Sequence, residues 1–185
     1  MTSERSDDEI ALIDRARNDR RAFGDLYERY VGRVYSYLYY RVGNRQDAED
    51  LTARVFVQAL THLPDYRAEG GSFSGWLLTI AHNLAANWFR DRSRRPSAPL
   101  EAAGERQQPH DDFLRIDESD AILSAVAGLP ADRQHLILLR YVEDLSHAEI
   151  ARVLGRSEGA VRVLLHRTLQ SLRQELQDAE DGLEN

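Results

Sequence analysis

Apolar side chains recur at three- and four-residue spacing through most of this chain, the pattern of helices that bury one face. Asp7 or Asp8 can cap a first short helix, with Ile10, Leu12, Ile13 and Ala16 apolar, ending near Asn18 to Arg20. A longer helix starts at Ala22: Phe23, Leu26, Tyr27, Tyr30, Val31, Val34, Leu38 and Val42 keep the spacing, and Gly43-Asn44 stops it. Tyr35, Tyr37, Tyr39 and Tyr40 add aromatic bulk around it, read as packing rather than as a base-stacking platform. A third helix spans about Arg45 to Leu63, with Ala48, Leu51, Val55, Phe56, Ala59 and Leu60 inward and Asp47, Glu49, Asp50, Arg54 and Gln58 outward. Pro64-Asp65 breaks it, and Tyr66 to Ser72 forms a loop around Gly70-Gly71. Ser72 or Ser74 opens a fourth helix whose inner face is Phe73, Trp76, Leu77, Ile80, Ala81, Leu84 and Trp88.

The periodicity then lapses. Pro96 to Asp112 holds three prolines and a glycine and reads as part of a flexible linker over 96–116, whose full extension reaches roughly 70 Å. Helical spacing resumes near Asp117. Ala121, Ile122, Ala125, Val126 and Leu129 make one helix, closed by Gly128 and Pro130, and Asp132 leads another through Leu136, Leu139 and Tyr141. Ser146 and Glu149 have the spacing of a capping box, Gly155 suits a left-handed turn, and Ser157 can cap the helix that follows. On that helix Val161, Leu164, Leu165, Thr168, Leu169 and Leu172 form the inner set. The fold class expected is all-α: two small helical domains over 1–95 and 117–176, the linker 96–116 between them, and an acidic tail over 177–185.

Charge distribution turns this pattern toward nucleic acid. The 185 residues carry a net charge of -7, too acidic for a general nucleic-acid coat protein. Yet two stretches, Asn87 to Arg95 and Arg156 to Arg173, each hold four arginines against one acid. A polyanion would meet these islands selectively. All basic residues are arginine, a composition that a GC-rich genome explains. Without cysteine there is no disulfide and no thiolate metal site. The N-terminus lacks the apolar core of a signal peptide, and no apolar run reaches the length of a membrane span, so a cytoplasmic location without membrane insertion is expected.

Two segments carry candidate chemistry. Leu145 to Arg173 outlines a helix-turn-helix whose second helix presents Arg162, Val163, His166 and Arg167 to a major groove, with the N–H groups beside Ser157 facing a phosphate. Asn83, Asn87 and Arg90 on the fourth helix, continuing into Arg94-Arg95, are the amides and guanidinium groups that unpaired nucleic acid calls for. Catalysis finds no support. The acids at Asp47, Glu49 and Asp50 have no second convergent cluster, and no histidine pair has the i, i+4 spacing of a helical metal site, so neither a metal nor another cofactor is expected. A stand-alone helix-turn-helix regulator is the alternative reading of the residues.

Taken together, F23-x-x-L-Y-x-x-Y, D47-A-E-D-L-T-x-x-V-F-x-x-A-L60, F73-x-x-W-L-x-x-I-A-x-N83-x-x-x-N87, R94-R-P96, L129-P-x-x-x-R133 and E149-I-A-x-x-L-G-x-S-E-G-A-V-R162 resemble the extracytoplasmic-function (ECF) group of bacterial sigma factors. The resemblance implies a sigma-2-like domain, a sigma-4-like domain and no enzymatic activity. Its implied partners are core RNA polymerase, through the β and β′ subunits, and promoter DNA, with an anti-sigma factor as a further candidate. The docking face for polymerase would be Asp47, Asp50, Leu51, Arg54, Val55 and Gln58. Residues Tyr66, Arg67, Ser74, Asn83, Asn87, Arg90, Arg94 and Arg95 would meet the minus-ten element, where a non-template base is flipped out. Ser157, Arg162, Val163, His166 and Arg167 would meet the minus-thirty-five element. Ala160 and Val163 stand where relatives often carry threonine and serine, which bears on sequence preference and not on fold.

Overall fold

The computed structural model describes residues 2–67, 71–94, 125–126 and 128–183, and all regular structure among them is helical. The chain divides into two compact units, Met1–Pro109 and His110–Asn185. Gly70, Arg95, the expected linker 96–116 and the start of the second helical stretch from Asp117 lie outside the described residues.

Four helices build the first unit: α1 (Thr2–Ala16), α2 (Arg20–Val42), α3 (Arg45–His62) and α4 (Phe73–Ser93). α1 starts before the expected cap at Asp7 or Asp8, because polar residues sustain a helix without leaving an apolar period to read. Asp19 caps α2, accepting from the Arg21 N–H at 2.8 Å, so this helix begins ahead of Ala22. Gly43 ends it in the left-handed conformation at φ 71°, its N–H bonded to the Tyr39 carbonyl at 2.9 Å. Asn44 caps α3, and Pro64 lies in a single 3-10 turn, Leu63–Asp65. Of the two serines that fit the start of α4, Ser72 is the cap, accepting from the Gly75 N–H at 3.1 Å.

Leu26, Val34 and Leu38 of α2, Leu51 and Val55 of α3, and Leu77, Leu78 and Ala81 of α4 fill the core. Phe73 joins three segments, lying 5.3 Å from Tyr30, 5.4 Å from Tyr66 and 5.3 Å from Trp76 between ring centroids. Tyr37 is fully buried, with its hydroxyl 3.0 Å from His82 Nδ1. Burial, followed by the charge and hydrogen bond of Glu9, raises the Tyr30 phenol well above its ordinary range, so it stays neutral. Leu60 and Tyr27, expected inward, are exposed instead: each lies one position beyond the buried stripe of its helix.

In the second unit, α5 (Ala131–Ile137) widens into a π turn over Leu138–Val142 before α6 (His147–Leu154) and α7 (Glu158–Leu183). That wider turn carries Tyr141 off the inner stripe where the periodicity put it, leaving it exposed. Asp144 takes a positive φ of 49° at the exit, and the Arg140 guanidinium braces the bend by donating to the Leu145 carbonyl at 3.1 Å. Ser146 and Glu149 form the expected capping box, and Gly155 makes the turn at φ 61°. The Ser157 hydroxyl accepts from the Ala160 N–H at 3.2 Å. Val161, Leu165 and Thr168 are buried, whereas Leu169, expected with them, is partly exposed. α7 continues through Leu183, into the stretch read as an acidic tail, since no proline interrupts it.

A Cβ added at Gly155 would meet nothing within 4 Å, so the cost of filling that site is conformational alone. Gly155→Ala is expected to lower the unfolding free energy by roughly 1–2 kcal/mol in denaturant melts. Unchanged stability would mean that the turn does not need a left-handed residue.

Candidate functional site

α4 buries Leu77, Leu78, Ala81, Leu84 and Ala85 and thereby fixes what it shows to solvent. Asn83, Asn87, Arg90 and Arg94 are spaced four, three and four residues apart, so they share one outward stripe, and all four are exposed. An Arg90 N–H donates to the Asn87 Oδ1, which leaves the Asn87 amide hydrogens as outward donors. Arg67 is exposed beyond the end of the 3-10 turn. Two expected DNA-contacting side chains are placed otherwise. Ser74 is buried on the inner side of the first turn of α4. Tyr66 is also buried, its ring 4.8 Å from Trp76, and its carbonyl accepts from Arg17 Nη2 at 2.8 Å. It anchors the loop from inside rather than offering a ring to a base.

At the other end of α4 lies a group that periodicity alone did not reveal. Trp88 Nε1 donates to Asp47 Oδ1 at 3.2 Å, the Arg92 guanidinium lies 5.1 Å from the Trp88 ring centre, and Arg92 Nη1 is 4.0 Å from Asp47 Oδ2. Phe89 and Trp88 form a T-shaped pair at 4.8 Å between ring centroids, and Arg41 of α2 lies over the Phe89 ring at 5.6 Å. Asp47, expected on the outward docking face, is therefore engaged at the junction of α3 with α4.

Asp50, Arg54 and Gln58 are exposed along α3, as is Val57, whose relative exposure is 66%. Leu51 and Val55, included in the expected docking set, are at most 1% exposed and can only hold α3 in place. Val57 adds apolar area to the face that Asp50, Arg54 and Gln58 make polar. The signal was available: Val57 falls two residues past Val55, off the inner stripe. Beside this face an open groove of about 270 Å³ runs between α2 and α3, lined by Tyr27, Val31 and Tyr35 on one side and Thr52 and Ala53 on the other.

On α7, Arg162, Val163, His166 and Arg167 are exposed on the side opposite Val161 and Leu165. Arg162 pairs with Glu158 one turn earlier. Val163 is 52% exposed, an apolar spot within a polar face. Gly155 and Ser157 set the angle at which this face is presented. Among the described residues, no three His, Asp or Glu side chains could hold a metal ion, and no helix is long and apolar enough to cross a membrane.

Comparison with known proteins gives these surfaces a common context. Residues 26–95 match the family described as Sigma-70 region 2, and residues 119–172 match Sigma-70, region 4. The chain is 38% identical to the ECF RNA polymerase sigma factor BldN of Streptomyces coelicolor, over 91% of its own length and 66% of the relative's. It is 32% identical to the ECF RNA polymerase sigma factor SigD of Mycobacterium tuberculosis, over 98% of this chain and 88% of the other. Among solved structures, that of CnrH in complex with the cytosolic domain of CnrY superimposes with a TM-score of 0.61 at 26% identity, over 92% of this chain and 97% of that one. The chain thus belongs to the ECF group of RNA polymerase sigma factors, with sigma-70 regions 2 and 4 as its two helical units. Such proteins direct transcription initiation as partners of core RNA polymerase and promoter DNA, and the chain is not an enzyme.

Asp47→Ala removes the acceptor of the Trp88 indole without touching the core stripe. It is expected to cost about 1 kcal/mol of stability and to red-shift Trp88 emission in a Trp76→Phe background. Unshifted emission would show that Asp47 does not hold the indole.

Proposed function

We propose that the outer face of α3 finds the polymerase, that α4 and the loop before it capture the minus-ten element, and that α7 reads the minus-thirty-five element. The observation carrying this reading is the exposure of Asn83, Asn87, Arg90 and Arg94 as one stripe of amides and guanidinium groups on a helix that is buried behind. Extruding a base costs a few kcal/mol, which the Asn83 and Asn87 amides offset by hydrogen bonding while Arg90, Arg94 and Arg95 hold the backbone. Arg67 reaches phosphate from the loop, and Tyr66 and Ser74 support it from within. Residues 1–95 form the polymerase-binding and melting domain, 117–176 the upstream-reading domain, 96–116 their connection, and 177–185 an acidic end.

On α3, Asp50, Arg54 and Gln58 flank exposed Val57, the mixture of apolar centre and polar rim that protein interfaces use. This face docks on the clamp coiled coil of the polymerase β′ subunit, and the second unit engages the β subunit. On α7, Arg162 and Arg167 suit guanine O6 and N7, His166 adds a further donor, and Val163 suits a thymine methyl. Ser157 and the N–H groups beside it meet a phosphate at the helix start. The net charge of -7 makes free-chain binding to DNA weak, so promoter recognition depends on the polymerase. The protein acts in the cytoplasm. CnrH, solved with the cytosolic domain of CnrY, supports a second protein partner for this chain, of the anti-sigma kind.

Asp50→Arg is expected to weaken core-polymerase binding at least tenfold in a titration while the thermal melt is unchanged; wild-type affinity would move the docking face elsewhere. Arg162→Ala is expected to cost roughly 1–3 kcal/mol at one promoter position. An equal loss on every promoter variant would mean that Arg162 touches only phosphate.

A further inference from the structure

The end of α4 carries a second surface, distinct from the stripe of Asn83, Asn87, Arg90 and Arg94. Phe89 is two residues from Asn87, which turns it through roughly 200° of helix and places it toward α2. There it is 40% exposed, although it is among the larger apolar side chains of the unit. Four side chains organise it. Arg41 lies over the Phe89 ring, Trp88 makes a T-shaped pair with it, Arg92 lies on the Trp88 ring, and Asp47 fixes the indole N–H. The ends of α2 and α4 and the start of α3 converge on this cluster, so it is held by three helices rather than by one loose terminus.

The local charge is positive in an acidic chain. Arg41 and Arg92 border the two rings against Asp47, whereas Arg45 and Glu49 pair and add no net charge. Asp47 is engaged by Trp88, and Glu49 by Arg45 at 2.8 Å. An aromatic ring bordered by guanidinium groups binds a nucleobase by its face and the adjoining phosphates by charge, without demanding a particular base.

From these contacts we infer that Phe89, flanked by Arg41 and supported by Trp88, Arg92 and Asp47, is a stacking site for a base of promoter DNA, separate from the amide stripe. The inference rests on the reading of α4 as the promoter-facing helix. Two sides of one helix then hold the DNA: the amide stripe reads a flipped base, and the Phe89 cluster caps another base where stacking is interrupted. Asp47 and Trp88 are positioning residues here, and Phe89 with Arg41 makes the contact.

The test uses holoenzyme assembled from core polymerase and the full-length chain, with p-benzoyl-phenylalanine in place of Phe89 and labelled, partly unpaired promoter DNA. A crosslink from position 89 to DNA is expected. A crosslink only to a polymerase subunit would overturn the inference and assign the cluster to a protein interface; the absence of any crosslink would also overturn it. Phe89→Ala should weaken holoenzyme binding to the unpaired template about tenfold. Phe89→Tyr should restore it and Phe89→Leu should not, which separates a π face from apolar bulk, while thermal melts of each chain confirm folding. Wild-type binding by Phe89→Ala overturns the inference. Asn87→Ala separates the two readings: if it weakens binding and Phe89→Ala does not, only the stacking site is lost. If neither does, the promoter-facing assignment of α4 falls as well.

Discussion

The placement of the start of α4 in region 2 depends on the packing of Phe73. Its ring is 2% exposed and meets Tyr30 of α2, Tyr66 of the segment after α3 and Trp76 one turn along α4. One side chain therefore sets the start of α4 relative to α2 and ties down the entrance of the 66–72 loop. Edge-to-face aromatic pairs of this kind add about 0.5–1.5 kcal/mol each beyond the area they bury. On the proposed reading of α4, rigidity at this point keeps the Asn83 and Asn87 donors placed before the DNA arrives, so that less ordering is needed at the moment of binding.

The same constraint accounts for the division of labour along α4. Its inner face is committed to α2 and α3 at Leu77, Leu78, Ala81, Leu84 and Ala85, so the polar residues between them have a fixed direction. At the far end the Trp88 indole is clasped by Asp47, which links the start of α3 to the basic end of α4 at 3.2 Å. The proposed polymerase face on α3 and the proposed promoter face on α4 thus lie on neighbouring helices of one packed unit, joined by the Trp88–Asp47 hydrogen bond. The second unit repeats the economy of means on a smaller scale: Ser146 with Glu149 caps the start of α6, Gly155 and Ser157 bound the turn into α7, and the exposed face of α7 follows from the burial of Val161 and Leu165.

Much of this was legible in the amino-acid order, because a buried stripe at helical spacing, a capping box and a turn glycine each have a local cause. The stops at Gly43 and Gly155 and the outward sets on α4 and α7 follow from such local rules. What was illegible depended on partners distant in sequence. Tyr66 and Ser74 look like loop and helix-start polar residues until Phe73 and the α4 interior bury them. Asp47 looks like one more outward acid until Trp88 reaches it across forty-one positions. Leu51 and Val55 belong to the motif on which a docking face was expected, yet their spacing places them on the inner side of α3. The π turn at Leu138–Val142 has no signature in the sequence, because an added residue per turn leaves no local mark, and it carries Tyr141 outward.

The chain directs transcription initiation with RNA polymerase, and on the proposed reading it supplies the choice of promoter. Transcription of genomic fragments by purified core enzyme, with and without the full-length chain, measures this directly when the 5′ ends of the products are mapped. Start sites that need both components and share two upstream sequence blocks are expected. A set of start sites unchanged by adding the chain would contradict the claim.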